Sequence, residues 1–270
     1  MDVRLTWSWD ASEICAPLYE KGDTEMKLNG RLVRVANVTD SERNQMFSLM
    51  DTYYEHMDRS AFEADLGEKQ WVILLQDPTH GFVRGFSTQM MLELVVEDRP
   101  IRALFSGDTI VDHDHWAQNP LAQVWGQFAL SLIDDDLSAP LYWFLIAKGY
   151  KTYRFLPVFF HEFYPRHDGP TPAWASSVID ALGRHMYPTA YDSGAGIVRA
   201  DHFGCRLRAK VAEITNQRLR DPQVRFFAEK NPGHTRGDEL CCIAPLTREN
   251  FTSAAYRVIG STSALSQCLS

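Results

Sequence analysis

Apolar positions along this chain recur with two different periods, and the alternation between them lays out the elements. Residues 31–38 (RLVRVANV) alternate polar and apolar side chains, which predicts a first strand. Thr39 or Asp40 can cap a helix over residues 41–57, which carries Met46, Leu49, Met50, Tyr53 and Met57 on one stripe. Residues 70–76 (QWVILLQ) read as a second strand. Two turns, around Asp77-Pro78-Thr79-His80-Gly81 and Glu97-Asp98-Arg99-Pro100, then separate strands over 82–96 and 101–111, giving an antiparallel meander. A helix over 116–132 carries Pro120 in its first turns, where proline is tolerated. Residues 141–147 (LYWFLIA) are wholly apolar, as expected of a strand in the middle of a sheet.

The pattern breaks at residues 166–172 (RHDGPTP), which predicts a boundary. Beyond it the spacing predicts a helix over 174–186, a strand over 196–200, a helix over 206–220 and a strand over 240–246. The expected division is an N-terminal arm (1–30, with Trp7 and Trp9), a main domain (31–165) and a C-terminal extension (166–270) that covers or completes a cleft. The fold class is mixed α/β of the α+β type.

Composition narrows the function. With 45% hydrophobic residues, seven Trp and fifteen Phe in 270 residues, the chain can bury a large core. A net charge of −8 argues against a duplex-binding protein; the basic stretch over 199–225 is interrupted by acids and reads as a solvated face. The N-terminus lacks the basic and apolar regions of a signal peptide, and no apolar run reaches the length of a membrane span. Cysteines 15, 205, 241, 242 and 268 form no CxxC pair, so neither a disulfide framework nor a metal site is expected. These readings predict a cytoplasmic protein with reduced thiols.

The order strand, helix, three-stranded meander, helix, strand, helix over residues 31–164 resembles the GNAT superfamily of N-acyltransferases. The best local match is Phe105-Ser-Gly-Asp-Thr-Ile-Val-Asp112 running into a helix. The resemblance implies that this strand holds the pantetheine arm of an acyl thioester by its main chain. It also implies that the strand over 141–147 splays away to open a V-shaped cleft. Ile110, Val111 and Asp112 would then supply main-chain contacts to donor and oxyanion, and Gln118 and Asn119 would face the donor's phosphates. In the family that phosphate loop carries glycines; here Leu121 and Gln123 stand in their places and Pro120 removes a donor N–H. The implied donor is therefore an acyl-carrier-protein thioester as readily as coenzyme A, and the acceptor an amine of a small molecule or peptide.

The cluster Asp112-His113-Asp114-His115 offers a general base, with His115 taking a proton and Asp112 raising its basicity; a polar turn at a helix start would need the same residues. Tyr153 follows the apolar strand where the resemblance places a tyrosine that protonates the departing thiolate, with Tyr150 one turn away; both also suit an aromatic core. His161-Glu162 and Cys241-Cys242 lie in apolar runs and read equally as buried structure. Two other readings stand beside the enzyme: a non-catalytic GNAT-like module that binds an acyl carrier or peptide, and an unrelated mixed α/β enzyme. A sheet that stays closed between 101–111 and 141–147 would favour the last.

Overall fold

The structure is a computed structural model, which describes residues 27–115, 120–135, 138–200, 206–208 and 214–260. Strand β1 (Asn29–Arg34) leads through a 3₁₀ turn into helix α1 (Asp40–Tyr53). The helix starts where it does because Thr39 and Glu42 form a capping box, each side chain accepting from the other's backbone N–H. After β2 (Tyr54–Glu55) comes α2 (Arg59–Glu68), capped by Asp58. The meander is β3 (Trp71–Gln76), β4 (Val83–Val96) and β5 (Arg99–Val111). Helix α3 (Pro120–Asp135), strand β6 (Leu141–Ala147) and the short helices α4 (Tyr150–Tyr153) and α5 (Phe155–Phe159) come next. The rest comprises α6 (Ala173–Met186), β7 (Tyr191–Asp192), β8 (Ile197–Val198), β9 (Arg206–Leu207), α7 (Pro222–Lys230), β10 (Glu239–Pro245) and α8 (Ser253–Ile259).

Eight strands form one sheet in the order β1-β3-β4-β5-β6-β10-β8-β7. Every pairing in it is antiparallel except β5 with β6. The sheet does not end at the break after residue 165: β10 lies beside β6 along six residue pairs, so the C-terminal segment supplies strands to the same layer. Side chains alternate between two faces as strand geometry requires. Leu104, Trp143, Leu145 and Cys242 point to the face covered by α3, α4, α5, α7 and α8. On the opposite face, Ala103, Phe105, Phe144 and Cys241 pack under α6, while Val72, Leu74, Phe86 and Ile110 pack under α1 and α2.

Several expectations change. The helix foreseen over 206–220 is not formed in the described part of that range: Arg206–Leu207 pairs as a strand with Tyr54–Glu55, and Arg218–Arg220 is a 3₁₀ turn. The foreseen first strand stops at Arg34, and the first helix gives way at Tyr54 to a short strand rather than running to residue 57. Trp7, Trp9 and the Ser-rich C-terminus lie outside the described residues.

Candidate active site

The sheet parts between its two parallel strands. β5 and β6 pair from Arg102↔Leu141 to Ser106↔Leu145 and no further. Beyond Ser106 the partner of β5 shifts: Gln89 faces Ser106 but Ser87 faces Thr109, so Gly107 and Asp108 together oppose Thr88 alone. That is a β-bulge, and a bulge bends its strand and interrupts pairing. β5 stays with β4 as far as Val111, whereas β6 stays with β10 as far as Ala147. The two halves of the sheet therefore diverge from Ser106 and Leu145 onward. Gly107 is needed at the bulge because a Cβ there would lie 2.7 Å from Thr88 Oγ1 and 3.1 Å from Lys69 Cε.

A chamber lies on each face of the sheet at the opening. The first, about 60 Å³, lies beneath α3, α5 and α8 and is walled by Trp125, Trp143, Phe155 and Phe159. Trp125 and Trp143 pack with ring centroids 4.4 Å apart. Along its floor runs a stripe of hydroxyls, Ser87, Ser106 and Thr109. They belong to a buried hydrogen-bond chain. Trp143 Nε1 donates to Ser106 Oγ (2.9 Å), and Ser106 donates to Gln89 Oε1 (2.7 Å). Gln89 Nε2 donates to Ser87 Oγ (2.7 Å), which lies 2.7 Å from Thr109 Oγ1. This chain ties β4, β5 and β6 together immediately before they part.

The second chamber, about 140 Å³, opens on the other face between α2 and the end of α6. Its lining is polar and charged: Asp65, Lys69, Asp108, Lys148 and Glu239, with Tyr54 and Tyr187. Lys69, only 2% exposed, donates to Asp65 Oδ1 at 2.7 Å, and Lys148 Nζ lies 3.3 Å from Glu239 Oε1. Burial and the nearby carboxylates of Asp65 and Glu239 push the Asp108 carboxyl up to about 6, against the pull of Lys148 and Lys69. Thr109, Leu145 and Thr152 line both chambers; this shared strip is the neck of the opening.

The residues singled out from the sequence do not converge here. Asp112 lies in a separate open groove between α1 and the β4–β5 end, about 430 Å³, with Ser48, Thr52 and Arg84. Its Oδ1 accepts from Tyr53 Oη at 3.0 Å, and its N–H donates to the Arg84 carbonyl at 2.7 Å, so that N–H is already taken. His113–His115 form a 3₁₀ turn rather than a strand end, and His115 N–H donates to the Asp112 carbonyl. Asp112, His113 and Asp114 bring ligand atoms within 4.8 Å of one another on the surface, a spacing explained by His113 Nδ1 standing 2.8 Å from Asp114 Oδ1. The Ile110 side chain is buried under α1 and α2, and Val111 is half-buried against the α3-side core. Gln118 and Asn119 lie outside the described residues. Leu121 lines the apolar chamber.

Tyr153 is fully buried among Phe163, Phe226 and Phe227, and its hydroxyl donates to the Pro165 carbonyl at 3.0 Å. Burial pushes this phenol far above its ordinary pKa. It lines neither chamber; its neighbour Thr152 lines both. Tyr153→Phe is therefore expected to cost one hydrogen bond, about 0.5–1.5 kcal/mol by chemical denaturation, and to leave any turnover within about twofold. A large loss of turnover with unchanged stability would return the hydroxyl to the chemistry. Cys241 and Cys242 are buried in the sheet, which raises both thiols and keeps them protonated. Glu162 accepts from Tyr164 Oη at 3.2 Å, apart from both chambers.

Sequence reasoning misses Asp108 because it sits inside a strand pattern, flanked by Gly107 and Thr109. The signal that could expose it is the Gly-Asp pair itself. Glycine followed by a charged residue inside a strand marks a bulge.

No family model matches the chain, and no curated protein matches it. Among the solved structures that align with it are two weak matches. The GNAT family N-acetyltransferase YhbS from Escherichia coli, in complex with CoA, aligns with a TM-score of 0.34 and 13% identity, over 48% of this chain and 67% of that one. A conserved protein of unknown function from Enterococcus faecalis V583, described as a probable N-acyltransferase, aligns with a TM-score of 0.39 and 9% identity. That alignment covers 80% of this chain and 65% of the other. Alignments this weak speak for no activity. Its own topology, a mixed and mostly antiparallel sheet flanked by helices and parted between two parallel strands, keeps the order of elements on which the resemblance to the GNAT N-acyltransferases rests.

Proposed function

We propose that the protein is an N-acyltransferase that moves an acyl group from a thioester to a primary amine through the opening between β5 and β6. The observation that carries this reading is the strip at Thr109, Leu145 and Thr152, which borders both an apolar chamber floored by hydroxyls and a charged chamber holding Asp108. At about 60 Å³ the first chamber has room for a short acyl group, and its apolar walls and hydroxyl floor suit the acyl end of a thioester. An ammonium needs carboxylates and a base, and the second offers both.

In this scheme the thioester carbonyl sits at the neck. The ammonium of the acceptor yields one proton to the Asp108 carboxylate, from which it passes to solvent. The neutral amine nitrogen attacks the carbonyl carbon, forming the C–N bond. The C–S bond then breaks, and the second amine proton goes to the departing sulfur. Thr152 donates a hydrogen bond to that sulfur as negative charge gathers on it.

The donor is a thioester on a pantetheine arm. Leu121 stands where a phosphate-gripping glycine would serve a free nucleotide, which favours an acyl carrier protein or a short pantetheine thioester over coenzyme A. The whole protein, incubated with an acyl pantetheine thioester and a primary amine, should release thiol and form amide in equal amounts, followed by thiol titration and mass spectrometry. Thr152→Val keeps the side-chain shape and removes the hydroxyl. It should lower kcat by about 10-fold or more with an alkyl thioester and be partly rescued by an aryl thioester, whose thiol leaves without help. Thiol release with no amide would overturn the proposal.

A further inference from the structure

Resting on the acyltransfer reading, we infer that the acceptor is a compact amine carrying a single positive charge and no carboxylate. Charge balance and size in the chamber around Asp108 set that class. Among the described residues, that chamber sets three carboxylates, Asp65, Asp108 and Glu239, against two ammonium groups, Lys69 and Lys148.

Lys69 is held by Asp65 at 2.7 Å and over the Phe105 ring at 6.0 Å; Lys148 is held by Glu239 at 3.3 Å and over the Tyr54 ring at 5.5 Å. One carboxylate, Asp108, is in excess, and it stands beside the neck. A single ammonium brings the chamber to neutrality. A zwitterionic amino acid carries no net charge, so the excess would persist and its carboxylate would meet Asp108 and Glu239. A diamine would bring a second cation against Lys69 and Lys148. Like charges confined in a half-closed site discriminate strongly between such ligands.

Size limits the class further. At about 140 Å³ the chamber has roughly the room of a 150 Å³ cavity that accepts one benzene ring. Tyr54, Phe105 and Tyr187 supply flat apolar walls. A short alkyl or arylalkyl monoamine fits; the broad ring of an amino sugar with its hydroxyls does not.

The test is titration calorimetry of the full-length protein at neutral pH with three probes: 2-phenylethylamine, its carboxylated analogue phenylalanine, and 1,4-diaminobutane. The inference predicts that phenylethylamine binds about tenfold or more tightly than either of the others. Asp108→Asn should erase that preference, and Lys148→Gln, which removes a positive charge, should move it toward the diamine. Phenylalanine or the diamine binding as tightly as phenylethylamine, or no binding by any probe, would overturn it. Binding is read without turnover. A protein that shows this preference yet releases no thiol from thioesters keeps the amine inference and loses the acyltransfer reading; thiol release with flat amine preference does the reverse.

Discussion

Asp108→Asn is expected to lower kcat/KM for acyl transfer about 100-fold or more, the usual scale for losing a general base. The substitution keeps the shape and removes the group that takes the proton. The wild-type pH profile should carry the same signature. Because the Asp108 carboxyl titrates at about 6, kcat/KM should fall as the pH drops through that value, and this limb should vanish in the variant. Stability should move the other way. A carboxyl whose folded pKa is raised binds protons more tightly folded than unfolded, so the wild type loses stability as pH rises from about 4 to about 6. Asn removes that loss. The variant should therefore melt higher than wild type above about pH 6, with the difference fading toward pH 4. Thermal melts across pH and initial rates on the same preparations would check both halves. A variant that is inactive and less stable at neutral pH would mean that Asp108 holds the fold rather than the chemistry.

The second large effect concerns the fold. Phe128→Ala should destabilise the protein by about 3–5 kcal/mol, the range for removing a buried aromatic ring. Phe128 is wholly buried on the sheet-facing side of α3, and its ring meets Trp71 of β3 edge-on at 5.1 Å. No larger neighbour can move in, because α3 is pinned elsewhere. Gly126 lets Ile259 of α8 approach so closely that a Cβ would lie 2.3 Å from it, and Gln127 Nε2 donates to the Ile259 carbonyl at 3.1 Å. For a chain of this size that loss corresponds to a melting temperature roughly 5–10 °C lower. A shift of only a degree or two would show that α3 relaxes onto the sheet and that its packing is loose.

Much of the architecture is legible in the sequence, for definite physical reasons. The strand over 141–147 is apolar throughout because both of its faces are covered, and it lies between β5 and β10 in the middle of the sheet. The meander is legible because its turn residues have little other use. Helix α2 is not. Its buried side is only Phe62 and Leu66, one turn apart, in a segment with Gly67 inside it. Helix α7 carries a readable start, Asp221 before Pro222, and the Asp221 side chain does accept from Gln223 N–H at 2.8 Å. The basic run before it obscures that start.

The candidate site is legible only in outline. The motif Phe105–Asp112 leads to the right strand but directs attention to its polar end. Sequence density favours Asp112-His113-Asp114-His115, whereas the opening is set by the bulge at Gly107 and Asp108, which depends on the register of β4 against β5. Tyr153 and Thr152 are adjacent, and which one faces the neck depends on the docking of α4. No pattern in a four-residue helix encodes that.

The measurement that bears most directly on the central claim is a two-substrate initial-rate study, varying acyl pantetheine thioester and amine together. If the two meet across the opening between β5 and β6, both must be bound before either bond changes. Double-reciprocal plots should then intersect, and enzyme mixed with thioester alone should release no stoichiometric burst of thiol. Parallel lines with such a burst would show an acyl group held on the protein itself and would contradict direct transfer through the neck.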